Sequence, residues 1–463
     1  MLSNQAADPA KRKSLHGHWS SRMAFILAVT GSAVGLGNIW RFPYVVGENG
    51  GGAFVLVYLA CVIVIGMPVM MSEILMGRRG RRNPIATMGL LGAEEGKSPN
   101  WKVVGAMGVL AGVLILSYYA VVGGWTLSYV LKSGAGQFAN ATPEVVTSLR
   151  DEFLGSWGKV ALYHTIFMAL TIFVVARGVE RGLEQAVRFM VPALLLLMVV
   201  LLGYSIASGH FGEGVAFLFQ PDWSKLTWDT VLTAMGQAFF TLSIGMGAVM
   251  AYGAYLPEET SIPGAATAVA ISDTSIALLA GLVIFPLVFA NGMDPAAGPG
   301  LVFVTLPLAF GQMPGGVFFA TIFFVLLTFA AWTSAISLME PAVAWIVERF
   351  SKTRAQAAVA IGLLIWVVGF GTVLSFNVLA DFRFWLGTIF DNLDHLTLNI
   401  MQPLGGLLIV VFAVCVMCRN STADELGGTG AIYKLWRFLA RIVAPIGILF
   451  VFLKAVGLLP EFS

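Results

Sequence analysis

"GSAVGLGNIWRFP", residues Gly31 to Pro43, decides how this chain folds, because it interrupts an apolar run where a membrane helix should be most regular. The run before it, Met23 to Val29, starts like an ordinary spanning segment. Then come Gly31, Gly35 and Gly37, with Ser32, Asn38 and Arg41 around them. Glycine weakens a helix, and each backbone group left unpaired in hydrocarbon costs several kcal/mol. A chain that tolerates such a stretch has a use for the freed groups.

Composition sets the environment. Of 463 residues, 58% are hydrophobic and 11% charged, where a soluble protein would carry about a quarter charged. Apolar stretches long enough to cross a bilayer recur along the whole chain, so it reads as an all-α polytopic membrane protein. Eleven transmembrane helices are predicted, near 23–44, 53–76, 102–131, 160–176, 185–207, 229–255, 265–291, 317–347, 357–376, 393–418 and 433–458. Polar joints separate them, among them RRGRRNP (78–84), RGVERG (177–182), LPEET (256–260), ERFSKTR (348–354) and RNSTADELGG (419–428). With the N-terminus cytoplasmic, about 20 Lys and Arg fall inside and about 7 outside, the positive-inside asymmetry. An odd number of spans then puts the C-terminus outside, in the cell inner (plasma) membrane. The polar first 20 residues lead straight into a spanning segment, so no cleavable signal is expected. The net charge of +2 gives no reason to invoke nucleic acid.

The interrupted first span has a counterpart in the sixth, "GQAFFTLSIGMGAVMAY" (236–252), with Gly245 and Gly247 among hydroxyls. Either one alone reads as close helix packing through small residues. Together they open two five-helix sets, 23–207 and 229–418, joined by 208–228. A loop at 419–432 and an extra C-terminal helix, 433–463, follow; 1–22 is a cytoplasmic tail. Interrupted helices in corresponding places of two halves point to a transporter of two inverted five-helix repeats with its site at the breaks. Unwinding frees carbonyls for a cation and amides for a carboxylate. A small zwitterion plus sodium fits Gly31–Asn38.

"GSAVGLGNIWRFPYVVGENGGGAFVLVYL" (31–59) followed by "GMPVMMSEILMGR" (66–78) resembles the neurotransmitter:sodium symporters, especially their prokaryotic amino-acid members with the LeuT-like fold. "GQAFFTLSIGMGA" (236–248) and "FAAWTSAISLMEP" (329–341) extend the resemblance to roughly residues 18–418. It implies a sodium-coupled symporter importing hydrophobic, aliphatic and aromatic L-amino acids by alternating access, with two Na+ ions. The substrate pocket falls on Ser32, Ala33, Gly35, Leu36, Gly37, Ile115, Tyr119, Phe240, Thr241, Ser243, Met246, Ser334 and Leu338. The first sodium site falls on Ala33, Asn38, Thr241 and Asp273, with the substrate carboxylate. Registering the seventh span on its start instead of on Ala280–Gly281 would put Ser272 there. The second site falls on Gly31, Val34, Ala330, Thr333 and Ser334, neutral oxygens suited to a hard cation.

The resemblance also implies gates. The outer one pairs Arg41 with Asp394, or with Asp391 one turn earlier. The inner one matches at Trp19, Tyr255 and Glu348, but His16 stands where relatives carry an arginine; Lys11, Arg12 or Lys13 is the candidate substitute. Gly182 and Pro192 keep a Gly-x9-Pro spacing linked in relatives to unwinding of helix 5 and inward release of sodium. Chloride-dependent relatives hold the anion with a tyrosine, a glutamine and hydroxyl residues. Tyr58, Gln237 and Thr241 match, but Ala277 replaces the hydroxyl on the seventh span. Asp273 would then supply the charge that chloride supplies elsewhere, making transport chloride-independent and leaving room for proton counter-transport. An intramembrane acid is by default functional.

Other function classes fit less well. A channel needs a continuous pore and filter, whereas these polar groups cluster at one depth between gates. An enzyme is not expected: His16, His18, His164, His210 and His395 are scattered and form no HExxH. Cys61, Cys415 and Cys418 lie in apolar runs, and one CxxC without a second pair is a weak metal signal. A non-transporting amino-acid receptor on the same fold is the alternative.

Overall fold

Eleven apolar segments build the protein, which we describe from a computed structural model over Arg12 and residues 19–459. Segment α1 is two arms, Arg22–Ala33 and Gly37–Glu48, bent by 50° at a short break. It is followed by α2 (Gly52–Gly80), α3 (Pro99–Gly134), α4 (Trp157–Ala176) and α5 (Val179–Ala207). Segment α6 is again two arms, Trp228–Thr241 and Ala248–Gly253. Then come α7 (Ile262–Ala290), α8 (Gly316–Phe350), α9 (Arg354–Ser375), α10 (Ile389–Val416) and α11 (Ala431–Ala455). Short helices such as Pro84–Glu94, Pro143–Gly155 and Leu301–Gln312 cap the ends. Among the described residues helices lie at each of the eleven expected positions; nine are long and apolar enough to cross a membrane, ten with the bent α1 counted as one, and α6 is reduced to two short arms.

Segments α1–α5 and α6–α10 are the two repeats, each opening on its broken helix. Five crossings place the start of the second on the opposite face of the membrane from the first, so the repeats are inverted. Burial sorts the rest: the most apolar stretch of α3 is 72% buried inside the protein and that of α11 only 17%. Thus α3 is central, and α11 is a peripheral addition outside both repeats.

Several helices run past the ends read from hydropathy, for a visible reason. Segment α2 continues through Arg78 because that side chain is buried against acceptors: it donates to the Thr260 carbonyl (2.6 Å) and pairs with Glu425 (2.6 Å). Segment α5 starts at Val179, inside the polar joint, where buried Glu184 takes the Ser20 amide (3.1 Å) and pairs with Arg188 (2.7 Å). It stays helical through Pro192, so the unwinding linked to the Gly182–Pro192 spacing is not the state seen here. A polar residue with a partner inside the protein need not end a span.

Candidate functional site

Both breaks are local consequences of their sequences. The first arm of α1 stops at Val34, whose backbone is extended (φ −73°, ψ 101°). In α6, Ser243 and Gly245 take positive φ (53° and 85°), which no helix accommodates. A Cβ on Gly245 would also lie 2.3 Å from the Gln402 carbonyl oxygen, so only glycine lets the break sit against α10.

Side chains from several helices satisfy the freed groups. The Ser32 carbonyl accepts from the hydroxyls of Ser243 (3.1 Å) and Ser334 (3.0 Å). The Leu36 amide donates to the Tyr119 hydroxyl (3.1 Å), and Gln237 donates to the Gly37 carbonyl (3.0 Å). Gly35 is wedged between α8 and α3: a Cβ there would lie 2.3 Å from Ser334 Oγ and 2.7 Å from the Tyr119 hydroxyl. Gly37 faces Phe240 and Thr241, its Cβ position 3.0 Å from the Phe240 ring. Met246 and Leu338 meet at Gly112 of α3, where a Cβ would lie 3.7 Å and 3.2 Å from their carbonyl oxygens. Ile115, one turn before Tyr119 on α3, is buried, as are Ala33 and Leu36. The thirteen expected pocket residues therefore belong to the two breaks and the faces of α3 and α8 beside them.

The expected first sodium site is assembled around Asn38. Its Nδ2 donates to Asp273 Oδ1 (2.7 Å) and to the Asp273 carbonyl (3.1 Å), while its Oδ1 accepts from the Gly35 amide (3.2 Å). Asp273 is fully buried against Asn38, whereas Ser272 is half-buried. Thr241 and Tyr58 share a hydroxyl contact of 3.2 Å nearby. Asp273 Oδ2 has no hydrogen-bond partner among the described residues, nor has Gln237 Oε1. A buried carboxylate oxygen without a partner suits a cation. At the expected second site, Thr333 donates to the Ala330 carbonyl (3.0 Å), and Thr333 and Ser334 lie 3.5 Å and 3.4 Å from the Val34 carbonyl. Gly31 faces Thr333, a Cβ there lying 3.5 Å from the threonine Cβ. All five residues converge.

One side of the site is open. A cavity of about 430 Å3 descends to Leu36, Tyr119 and Phe240, and its walls include Arg41, Asp391 and Asp394. The Arg41 guanidinium lies 4.9 Å from the Phe240 ring centre. Arg41 and Asp394 both line the cavity, and no ion pair joins them among the described residues. Asp391 is otherwise engaged, its Oδ2 accepting from the amide and hydroxyl of Thr388 (2.8 Å each).

The opposite side is sealed. Trp19 is 2% exposed, packs edge-on against Tyr252 (5.3 Å between centroids) and donates from Nε1 to the Tyr252 carbonyl (3.2 Å). Its amide donates to the Tyr255 carbonyl (3.1 Å). The Tyr255 hydroxyl donates to Glu340 (2.8 Å), which pairs with Arg354, while Glu348 accepts from the Asn83 amide (2.7 Å) and Nδ2 (2.8 Å). Arg12, one candidate for the inner-gate cation, pairs instead with Glu94 (2.9 Å). The other candidates, Lys11, Lys13 and His16, lie outside the described residues. Glu340 and Arg354 were not singled out from sequence, nor was Glu73, whose buried carboxylate accepts from the Gly245 amide (2.6 Å). Acids inside apolar runs were the available signal.

Comparison with known proteins agrees with this geometry. A model of the sodium:neurotransmitter symporter family matches residues 16–149 and 143–460. The chain is 38% identical over 445 residues to an uncharacterized sodium-dependent transporter, YhdH, of Bacillus subtilis strain 168, covering 95% of this chain and 98% of that one. It is 34% identical over 445 residues to an uncharacterized sodium-dependent transporter of Haemophilus influenzae, covering 94% and 97%. Among solved structures, MhsT in complex with L-phenylalanine superposes with a TM-score of 0.87 at 43% identity, covering 95% of this chain and 99% of MhsT.

Proposed function

The chain belongs to the sodium:neurotransmitter symporter family, and from that premise we propose that it imports hydrophobic L-amino acids, leucine-sized and aromatic, together with sodium. As a sodium-dependent multi-pass membrane transporter it is not an enzyme. The observation that carries the substrate class is Gly35. Transporters of decarboxylated amines in this family carry an aspartate at this position. Here the space for any side chain is filled by Ser334 and Tyr119. An amine without a carboxylate finds no counter-charge, whereas an amino acid brings its own. The Tyr119 hydroxyl and the amides at the α1 break can receive that carboxylate. Met246, flexible and polarizable, adapts to side chains of different size. That MhsT has been crystallised with L-phenylalanine supports an apolar amino acid.

On this reading two sodium ions are carried, one beside Asn38, Thr241 and Asp273, the other between Gly31, Val34, Ala330, Thr333 and Ser334. The substrate carboxylate completes the first site, so ion and substrate raise each other's affinity. Asp273 supplies the negative charge that chloride supplies in relatives, and it can take up a proton once sodium has left. Transport is then chloride-independent with proton return. The Arg41 side faces outward and the Trp19 side faces the cytoplasm of an inner (plasma) membrane, so closure of Arg41 and Asp394 over Phe240 would precede release past Trp19. The test is uptake into proteoliposomes. Sodium-driven accumulation of labelled leucine or phenylalanine is expected; preference for a monoamine or for glutamate over every apolar amino acid would refute the substrate class, and binding without accumulation would indicate a receptor.

A further inference from the structure

One peptide unit in the α6 break is gripped at both ends by side chains from two other helices. The Ile244 carbonyl accepts from Gln402 Nε2 (2.9 Å), and the amide of the next residue, Gly245, donates to Glu73 Oε1 (2.6 Å). Glu73 comes from α2 and Gln402 from α10. Gln402 Nε2 also donates to the Phe239 carbonyl (3.2 Å), tying the last turn of the first α6 arm to the middle of the break. Backbone packing leaves the residue that carries this amide no slack: a Cβ on Gly245 would lie 2.3 Å from the Gln402 carbonyl oxygen, and the carbonyl of the next peptide unit lies 2.3 Å from where a Cβ on Gly405 would be. Gln402 itself is 1% exposed. Both partners are therefore committed to one orientation of the Ile244–Gly245 peptide.

That orientation has a consequence for the pocket. The residues flanking the peptide are Ser243, whose hydroxyl reaches the Ser32 carbonyl (3.1 Å), and Met246, whose backbone lies against Gly108 and Gly112 of α3. Turning the peptide plane would redirect both, because ψ of Ile244 and φ of Gly245 set the path of the chain on either side. The two sodium sites draw on other residues. From α6 they use only Thr241, which precedes the peptide and is held separately by Tyr58.

We propose that Gln402 is a specificity-determining positioning residue. By holding the Ile244 carbonyl it fixes the unwound backbone of α6 and so sets the width of the side-chain end of the substrate pocket. It acts through Ser243 and Met246 and touches no substrate itself. Losing its N–H leaves two buried carbonyls without their donor and lets the Glu73-held peptide tilt, so the pocket becomes less discriminating for size. This rests on the amino-acid substrate reading, and the experiment is built so that the two can fail separately.

Gln402→Met keeps the length and apolar bulk without a donor; Gln402→His restores an N–H at similar reach. The first readout needs no substrate: backbone hydrogen–deuterium exchange of the 242–248 peptide in sodium buffer, with thermal unfolding as the folding control. Exchange there is expected to rise in Gln402→Met and to return toward wild type in Gln402→His. The second readout is the ratio of dissociation constants for alanine, leucine, phenylalanine and tryptophan at saturating sodium. The leucine-to-tryptophan ratio is expected to shift by about three- to tenfold in Gln402→Met, the range of one net hydrogen bond, with the sodium half-saturation measured without substrate unchanged. Equal weakening of all four ligands, or unchanged exchange at 242–248 in a folded Gln402→Met, overturns the proposal. Should wild type bind none of the four, the substrate reading fails while the exchange readout still decides whether Gln402 holds the break; should Gln402→Met not fold, Gln402→His with wild-type exchange and ratios supports it, and with altered ratios despite wild-type exchange refutes it.

Discussion

Replacing Gly35 by alanine adds one methyl group at the most crowded point of the α1 break. The new Cβ would lie 2.3 Å from Ser334 Oγ, 2.7 Å from the Tyr119 hydroxyl and 3.1 Å from Ser334 Cβ. Nothing can remain in place at those separations. If Ser334 turns away, its bond to the Ser32 carbonyl (3.0 Å) goes; if Tyr119 swings out, the Leu36 amide loses its acceptor (3.1 Å). One buried hydrogen bond is worth about 1 kcal/mol net and overpacking about 1–3 kcal/mol, so substrate affinity should fall by about 2–4 kcal/mol, roughly thirty- to a thousandfold. Sodium should bind more weakly too, because Ser334 is one of the ligands proposed for the second ion site. The same change at Gly37 meets only the edge of the Phe240 ring at 3.0 Å, which can turn, so its cost should be smaller. Gly236, with nothing within 4 Å, is the control. Equilibrium binding of labelled leucine or phenylalanine across a sodium titration, with circular dichroism to confirm folding, tests the series. A Gly35→Ala protein that binds within threefold of wild type would show that Gly35 does not sit between Ser334 and Tyr119 in the bound state.

Three further outcomes follow from the same geometry. The double variant Thr333→Ala, Ser334→Ala should lose sodium-dependent uptake while unfolding near the wild-type temperature; retained sodium dependence would move the second ion site off α8. Wild-type uptake should survive replacement of chloride by gluconate, whereas Asp273→Asn should become chloride-responsive and lose its sensitivity to internal pH; arrest of the wild type in gluconate would end the idea that Asp273 replaces the anion. Trp19→Ala removes a side chain that is 2% exposed, a change typically costing about 3–5 kcal/mol, here mostly at the expense of the sealed state. Apparent substrate affinity should therefore fall by at least about tenfold, and an unchanged affinity would mean that Trp19 is not part of the seal.

The broken helices were legible because their signal is local. Gly35, Gly37, Gly245 and Gly247 fall within a few residues of one another inside otherwise apolar runs, and the breaks come at Val34–Leu36 and Leu242–Gly247. Asp273 stood out for a related reason, since an acid in mid-membrane is by default functional, but its expected position beside Asn38 came from the family resemblance, with Ser272 as the other register. What could not be read are contacts between residues far apart in sequence. Arg78 ends α2 in a hydropathy reading, yet stays inside it because Thr260 and Glu425 supply acceptors 182 and 347 residues away. Glu340 and Glu73 carried the same signal as Asp273, but only the fold reveals that one holds Tyr255 and Arg354 and the other the Gly245 amide. Gln402 carried no signal at all, being one amide side chain in an apolar helix.

The pattern of satisfied and unsatisfied groups at the breaks bears on how ions would be coupled to substrate. Most of the backbone freed in α1 is already spoken for: Ser32 by two hydroxyls, Leu36 by Tyr119 and Gly37 by Gln237. Those contacts pair much of the backbone that the break frees, as a span inside a membrane requires. Two acceptors stand apart. Among the described residues the Val34 carbonyl has only the long contacts to Thr333 and Ser334, at 3.5 Å and 3.4 Å, and Asp273 Oδ2 has no partner. A cation entering at Val34 would displace little, since hydroxyls at that range can turn their lone pairs toward it. A cation beside Asp273 would meet a buried negative oxygen, whose desolvation is costly until a charge arrives. The first exchange is nearly balanced and the second is strongly driven, which on the proposed reading makes Asp273 the point where sodium and a proton would compete, and where bound sodium would recruit the substrate carboxylate.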